Sequence, residues 1–248
     1  MVIQEMLAMD ANTCKGSAFI DVRQRNTMKI LTSLRRKLPS LFVEGGKYMD
    51  IGCGDGSFTV KVAEVFGARE VYGVDVVDEA LNEAKNKGVK TAKVDLNVDG
   101  LPFDDGSFDI VSAFEVLEHL WNPDNVIKEA YRVLKVPGFF ILTTPNLASW
   151  VNRLLLLFGY LPVHYGCSIK YELERRPLQS ACGPCGHMRL YTFKTLKKHL
   201  EIYGFRVLHS AGYSMGYVES NPAVRLLNKL FCIRKTFCAG MLFVAVKE

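Results

Sequence analysis

The chain has 248 residues, 49% hydrophobic and 23% charged, an ordinary globular composition that excludes disorder, collagen and coiled coil. Its formal charge of +5 is uneven: residues 41–148 carry 10 Lys/Arg against 18 Asp/Glu, residues 1–40 carry 7 against 3, and residues 149–248 carry 14 against 5. An acidic middle thus sits between two basic arms, which favour anionic partners, either lipid headgroups or nucleic acid.

Taken in order, the apolar spacing predicts an N-terminal helix over Ile20–Leu38, a strand at Tyr48–Ile51 and a helix at Phe58–Phe66. A strand at Val71–Asp75, a helix at Glu79–Lys87 and a strand at Lys90–Val94 follow. Asp109–Phe114 reads as a strand, Asp124–Leu134 as a helix, and Phe139–Thr143 as a strand that starts after a Pro137-Gly138 break. Strands alternating with helices imply βαβ units and a mainly parallel sheet, so the expected fold is a doubly wound, Rossmann-like α/β sheet. Residues 146–192 break the rhythm with an apolar helical stretch, Trp150–Phe158, and then clusters without clear periodicity. Regularity returns in a helix (Phe193–Tyr203), a strand (Phe205–Ser210), an amphipathic helix (Ala223–Phe231) and a closing strand (Met241–Lys247). We read a single domain: a helical cap (1–40), a cofactor-binding core (41–145), a lid inserted over the carboxyl edge of the sheet (146–192), and the rest of the sheet (193–248).

Seven cysteines, an odd number scattered over the length, fit a reducing compartment. No apolar run reaches the roughly 18 residues that cross a bilayer, and Met1–Asp10 lacks the pattern of a signal peptide. The expectation is an intracellular, cytoplasmic protein.

The densest chemical signal is Asp50-Ile51-Gly52-Cys53-Gly54-Asp55-Gly56-Ser57-Phe58, which follows a strand and opens a helix. Asp75 ends the second strand 19 residues after Gly56, where a carboxylate can take the hydroxyls of an adenosine ribose. Asp95 ends the third strand, within reach of an adenine amino group. Glycines for turns and aspartates as helix caps would explain each feature singly, but not all three at successive strand ends. A dinucleotide calls for G-x-G-x-x-G, whereas the spacing here is G-x-G-x-G, and Asp50 and Asp55 would repel a pyrophosphate. A cofactor carrying an ammonium and a sulfonium suits this loop, which favours S-adenosylmethionine over NAD.

Residues Tyr48–Phe58, Val71–Asp75, Leu101–Asp109 and Phe114–Leu120 together resemble the class I S-adenosylmethionine-dependent methyltransferases (methyltransferase type 11 domain). The branch most similar holds the ubiquinone and menaquinone biosynthesis methyltransferases. The resemblance implies a seven-stranded sheet, mostly parallel with an antiparallel last strand. It assigns Asp50, Gly52 and Gly54 to the methionine end of the cofactor, Asp75 with Val76 to the ribose, and Asp95 with Leu96 to the adenine. Phe114 and Glu115 would border the sulfonium.

Methyl transfer is an in-line displacement that rests on alignment and exclusion of water, so it need not leave a diagnostic residue. Glu115, Glu118 and His119 fall at i, i+3 and i+4, one face of a helical turn, where two carboxylates and an imidazole can bind a divalent ion. The Glu-x-x-Glu-His pattern resembles metal-assisted O-methyltransferases of quinone biosynthesis and of small-RNA 3′-end methylation. His187 is the candidate fourth ligand, and His119 acting as a metal-free base is the competing reading. Glu115, His119 and His187 are therefore the candidate catalytic residues; the bland alternative has them touching only cofactor or loops. Gly186–Thr192 resembles a segment common in the same branch and sets His187 and Arg189 near the acceptor. Cys182-Gly183-Pro184-Cys185 has the spacing of a redox dithiol, or of half a zinc clip completed by Cys167, His164 or His187; a reduced, neutral loop is the favoured reading. Cys53 is read as a small loop residue, and His199 and His209 receive no role.

Two stretches, Leu147–Tyr160 and Ala223–Phe231 with Arg234 and Lys235, suit interfacial helices, although covering a substrate pocket from above is the commoner arrangement in a globular protein. The acceptor we expect is a hydrophobic small molecule, quinone- or lipid-like, methylated at oxygen or carbon, with peripheral contact to an anionic membrane. An RNA methyltransferase is the alternative, opposed by the lack of an RNA-binding module or a basic–aromatic stripe. A non-catalytic S-adenosylmethionine-binding subunit is a third reading, opposed by the intact Gly52, Gly54, Asp75 and Asp95.

Overall fold

A computed structural model describes residues 17–39, 44–163, 165–168, 171, 187–215 and 222–248. The elements are α1 (Ser17–Lys37), β1 (Lys47–Ile51), α2 (Ser57–Phe66), β2 (Glu70–Asp75), α3 (Asp78–Asn86), β3 (Lys90–Lys93) and β4 (Phe108–Phe114). A 3₁₀ turn (Leu117–His119) precedes α4 (Pro123–Val133) and β5 (Leu134–Pro145). Then come α5 (Trp150–Leu157), α6 (Phe193–Ile202), β6 (Arg206–Tyr213), α7 (Pro222–Phe231) and β7 (Gly240–Lys247).

The seven strands form one sheet in the order β3-β2-β1-β4-β5-β7-β6. The first five are mutually parallel, and β7 runs antiparallel to both β5 and β6. This is the Rossmann-like architecture expected, antiparallel last strand included. Strand order reverses between β1 and β4, so their carboxyl ends, with that of β2, frame the crevice where such sheets take ligands.

The central strands are buried on both faces, which explains why they read as apolar runs rather than alternating patterns. On one face Met49, Val111, Phe140 and Phe243 pack with α4 and α6 through Val126, Ile127, Leu196 and Leu200. On the other, Tyr48, Ile110, Ile141 and Val244 pack with α1, α2 and α5 through Leu31, Leu34, Val62, Phe66 and Trp150. Local chemistry sets the helix starts: Pro123 occupies the first turn of α4, where a missing N–H costs nothing. Thr192 and Thr195 cap α6 reciprocally.

One strand departs from the sequence expectation. β5 starts at Leu134, not after Pro137-Gly138, because Leu134 already pairs with Phe108 before a bulge that ends at the Ile110–Phe139 pair. Val136 and Pro137 occupy that exposed bulge, where no ladder N–H is required.

Phe140 is fully buried and stacks on Phe205 at 5.3 Å. Phe140→Ala is expected to destabilise the fold by about 3–5 kcal/mol, read from urea unfolding midpoints at unchanged m-value.

Candidate functional site

The glycine loop leaves β1 with Gly52 at φ 74, and a Cβ there would lie 2.6 Å from Val116 Cγ2, so both backbone angle and space call for glycine. Gly52 and Cys53 donate their N–H groups to Val74 O at 2.8 and 3.1 Å, which pins the loop to β2. Gly54, at φ 51, donates to Asp75 Oδ2 at 2.9 Å. The other Asp75 oxygen accepts from the backbone N–H of Val76 and Val77 at 2.7 and 3.1 Å. Asp75 is thus a brace for the loop before it is anything else. Lys87 ties the outer side of the loop through Asp55, at 2.8 Å to Oδ2.

Asp50 lies behind the loop, 3% exposed, and accepts from Thr59 Oγ1 and Ser112 Oγ at 2.6 Å each. Burial pushes its carboxyl up to about 6; the two hydroxyl donors oppose that, and the charge of Asp75 adds to it. Burial and the same carboxylates push the Cys53 thiol up and so disfavour its thiolate.

Asp75, Val76, Asp95, Leu96, Glu115 and His119 line one cleft, together with Val94, Asn97, Val116 and Leu120. Asp95 accepts from Asn97 at 3.0 Å from the backbone N and 3.3 Å from Nδ2. Asn97 is the residue that sequence reasoning missed: it is buried, and its Oδ1 takes the N–H groups of Trp121 and Asn122 at 3.0 and 3.3 Å. Its bond to Asp95 is local, but the two amides that bury its Oδ1 lie 24 and 25 residues away, where no sequence pattern reports them. Phe114 packs edge-on against Phe58 at 5.1 Å, outside that lining.

The expected helical face of Glu115, Glu118 and His119 does not form. Only Leu117–His119 make a 3₁₀ turn, and Glu115 precedes it at φ 56, a left-handed angle that aims its carboxylate elsewhere. Glu115 Oε2 pairs with Arg23 of α1 at 3.1 Å, and Oε1 accepts from Tyr213 OH of β6 at 2.8 Å. Burial and the Glu115 charge hold the Tyr213 hydroxyl well above its ordinary pKa, so it stays a donor. Asn26 of α1 adds a bond to Ser214 O at 2.8 Å, which draws the N-terminal helix onto this edge.

Glu118, His119 and His187 do meet: each offers one ligand atom, and these lie within 4.8 Å of one another. Met188 and Arg189 carry His187 there by donating their N–H groups to Glu118 O at 2.7 and 3.1 Å. The His119 and His187 rings stand edge-on at 4.5 Å. Glu118 is fully buried; Oε2 accepts from Thr144 Oγ1 at 2.9 Å, while Oε1 has no hydrogen-bond partner among the described residues. Burial lifts its carboxyl to about 7, with Glu115 repelling and His119 pulling it back. Cys182, Cys185 and His164 lie outside the described residues; Cys167 is an exposed thiol.

Residues 49–142 match the methyltransferase domain family. A probable S-adenosylmethionine-dependent methyltransferase of Mycolicibacterium smegmatis is 34% identical over 105 residues, 41% of this chain and 39% of that protein. A ubiquinone biosynthesis O-methyltransferase of Idiomarina loihiensis is 30% identical over 131 residues, 48% of this chain and 52% of that one. The chain therefore spans about half the length, or less, of these relatives. A crystal structure of an S-adenosylmethionine-dependent methyltransferase from Aquifex aeolicus superposes with a TM-score of 0.57 at 16% identity, over 99% of this chain and 98% of that one. That likeness carries the fold. Over residues 49–142 the chain is thus similar to the methyltransferase domain family, and over 41% of its length to a probable S-adenosylmethionine-dependent methyltransferase.

The raised Asp50 carboxyl has a stability consequence. The folded group holds its proton above the unfolded pKa of 3.8, so its contribution is fully present below pH 4 and is lost as pH rises through about 6. Relative to Asp50→Asn, the wild type is expected to lose up to about 3 kcal/mol between pH 4 and 7, measured by chemical unfolding at each pH.

Proposed function

We propose that the chain transfers the methyl group of S-adenosylmethionine to a hydrophobic small molecule, quinone- or lipid-like, at oxygen or carbon. The observation that carries this is the single cleft lined by Asp75, Asp95, Glu115 and His119 beside the glycine loop. In this reading Asp50, Gly52 and Gly54 serve the methionine end, Asp75 with Val76 the ribose, and Asp95 with Leu96 the adenine. Phe114 and Glu115 border the sulfonium.

The reaction is a displacement at the methyl carbon. A lone pair of the acceptor forms the new bond as the carbon–sulfur bond breaks, its electrons going to sulfur to leave S-adenosylhomocysteine. What the protein supplies is alignment along that line and a site closed to water. A hydroxyl acceptor also gives up a proton, and the position of His119 on the cleft wall supports it as the base that takes it.

A second reading has its own observation. The orphaned, buried Oε1 of Glu118 beside two imidazoles is a donor set that fits a divalent ion. Glu118, His119 and His187 would hold it, and Glu115 would not, being engaged by Arg23 and Tyr213. Such an ion, when bound, acidifies an acceptor hydroxyl and so favours oxygen over carbon.

Calorimetry separates these readings. S-adenosylmethionine and S-adenosylhomocysteine are expected to bind and NAD not to; Asp75→Ala weakens S-adenosylhomocysteine by roughly 5- to 150-fold, equivalent to about 1–3 kcal/mol. Unchanged affinity in a folded variant removes Asp75 from the cofactor. Titration with manganese alone is expected to give one site that His187→Ala abolishes; silence from the wild type leaves His119 as the base.

A further inference from the structure

Two helices at the rim of the site keep more apolar surface exposed than their packing uses. α5 starts five residues after β5 ends, and it leaves Leu157 75% and Phe158 73% exposed. On α7 and just beyond it, Leu226, Leu230 and Ile233 are exposed, Ile233 to 81%. Large side chains uncovered singly are ordinary, but a run of them on adjoining elements marks an interaction surface.

The two helices adjoin through a specific contact. Trp150 stacks on Phe231 at 5.1 Å and donates Nε1–H to Asn228 Oδ1 at 3.1 Å. Phe231 stacks in turn on Phe237 at 6.1 Å, with the Arg153 guanidinium 4.8 Å over that ring. This stack couples the start of α5 to the end of α7.

Charge decides what such a surface fits. Residues 149–163 and 222–247 contain no Asp or Glu, and Arg153, Arg225, Lys229 and Arg234 are all exposed. Apolar side chains accompanied by cations, with no Asp or Glu in either segment, match an anionic bilayer, whose acyl boundary takes the leucines and whose phosphates take the basic groups. A second copy of the chain would set this cationic rim against its own like charge.

We propose that α5 and α7 together form a docking surface for an anionic lipid bilayer. The delivery of an acceptor from that bilayer rests on the function proposed above; the docking does not.

The test is sedimentation of the full chain with vesicles of pure phosphatidylcholine and of phosphatidylcholine with one third phosphatidylglycerol. Binding is expected only to the second, released by about 0.5 M salt, which roughly halves the screening length relative to 0.1 M. The double variant Leu157→Glu/Phe158→Glu, and separately Arg225→Glu/Lys229→Glu, should each lower vesicle partition at least tenfold with S-adenosylhomocysteine affinity unchanged. Wild type that ignores the anionic lipid, or variants that partition like wild type, would overturn the proposal. So would a dimer seen by sedimentation velocity without vesicle binding and lost in the Leu157→Glu/Phe158→Glu variant. Failure of wild type to bind S-adenosylhomocysteine would count against the proposed function and leave the docking surface standing.

Discussion

The site depends on one constraint, the parallel register of β1 between β2 and β4. Ile51 lies opposite Val74 on one side and Ala113 on the other, so three strands end together at one edge. That common edge lets the Asp75 carboxylate reach back to Gly54 N and lets Val74 O take two amides of the same loop. A one-residue slip of β2 would move the carboxylate to the opposite face of the sheet and leave the loop without its brace. Loop and acid are therefore one mechanical unit, positioned by backbone pairing far more than by their own interactions.

A second layer closes on that edge from distant parts of the chain. Glu115, held at a left-handed angle, collects Arg23 from α1 and Tyr213 from β6. A non-glycine residue in that conformation is strained by about 1–3 kcal/mol, and two bonds to a half-buried carboxylate offset it. The angle also keeps the Glu115 carboxylate out of the Glu118–His119–His187 cluster, although Glu115 and His119 line one cleft.

Much of this was legible in the sequence because it is local. The glycine loop, Asp75 and Asp95 occupy strand ends, and strand ends are readable from apolar runs and the residues that interrupt them. The pairing of Glu118 with His119 is equally local. Arg23 and Tyr213 were not legible, since they lie 92 and 98 residues from the carboxylate they share and no periodicity spans such a gap. Asn97 escaped for the same reason. The Glu115 angle was missed because a positive φ is ordinarily announced by glycine, and the start of β5 because Pro137-Gly138 reads as a break wherever a bulge is not foreseen.

The placement of β7 has a bearing on how the molecule assembles. β7 fills the slot between β5 and β6, so β6 touches the sheet through β7 alone. During synthesis, residues 206–213 emerge first, yet they have no partner strand until residues 240–247 have zipped onto β5. Until then β5 shows an open, apolar edge to its surroundings, the kind of surface on which nascent chains associate wrongly. The half of the sheet that builds the cleft can thus take shape early on the ribosome. The half that supplies Tyr213 to Glu115 comes last, and the site's second layer matures only when the sheet is whole.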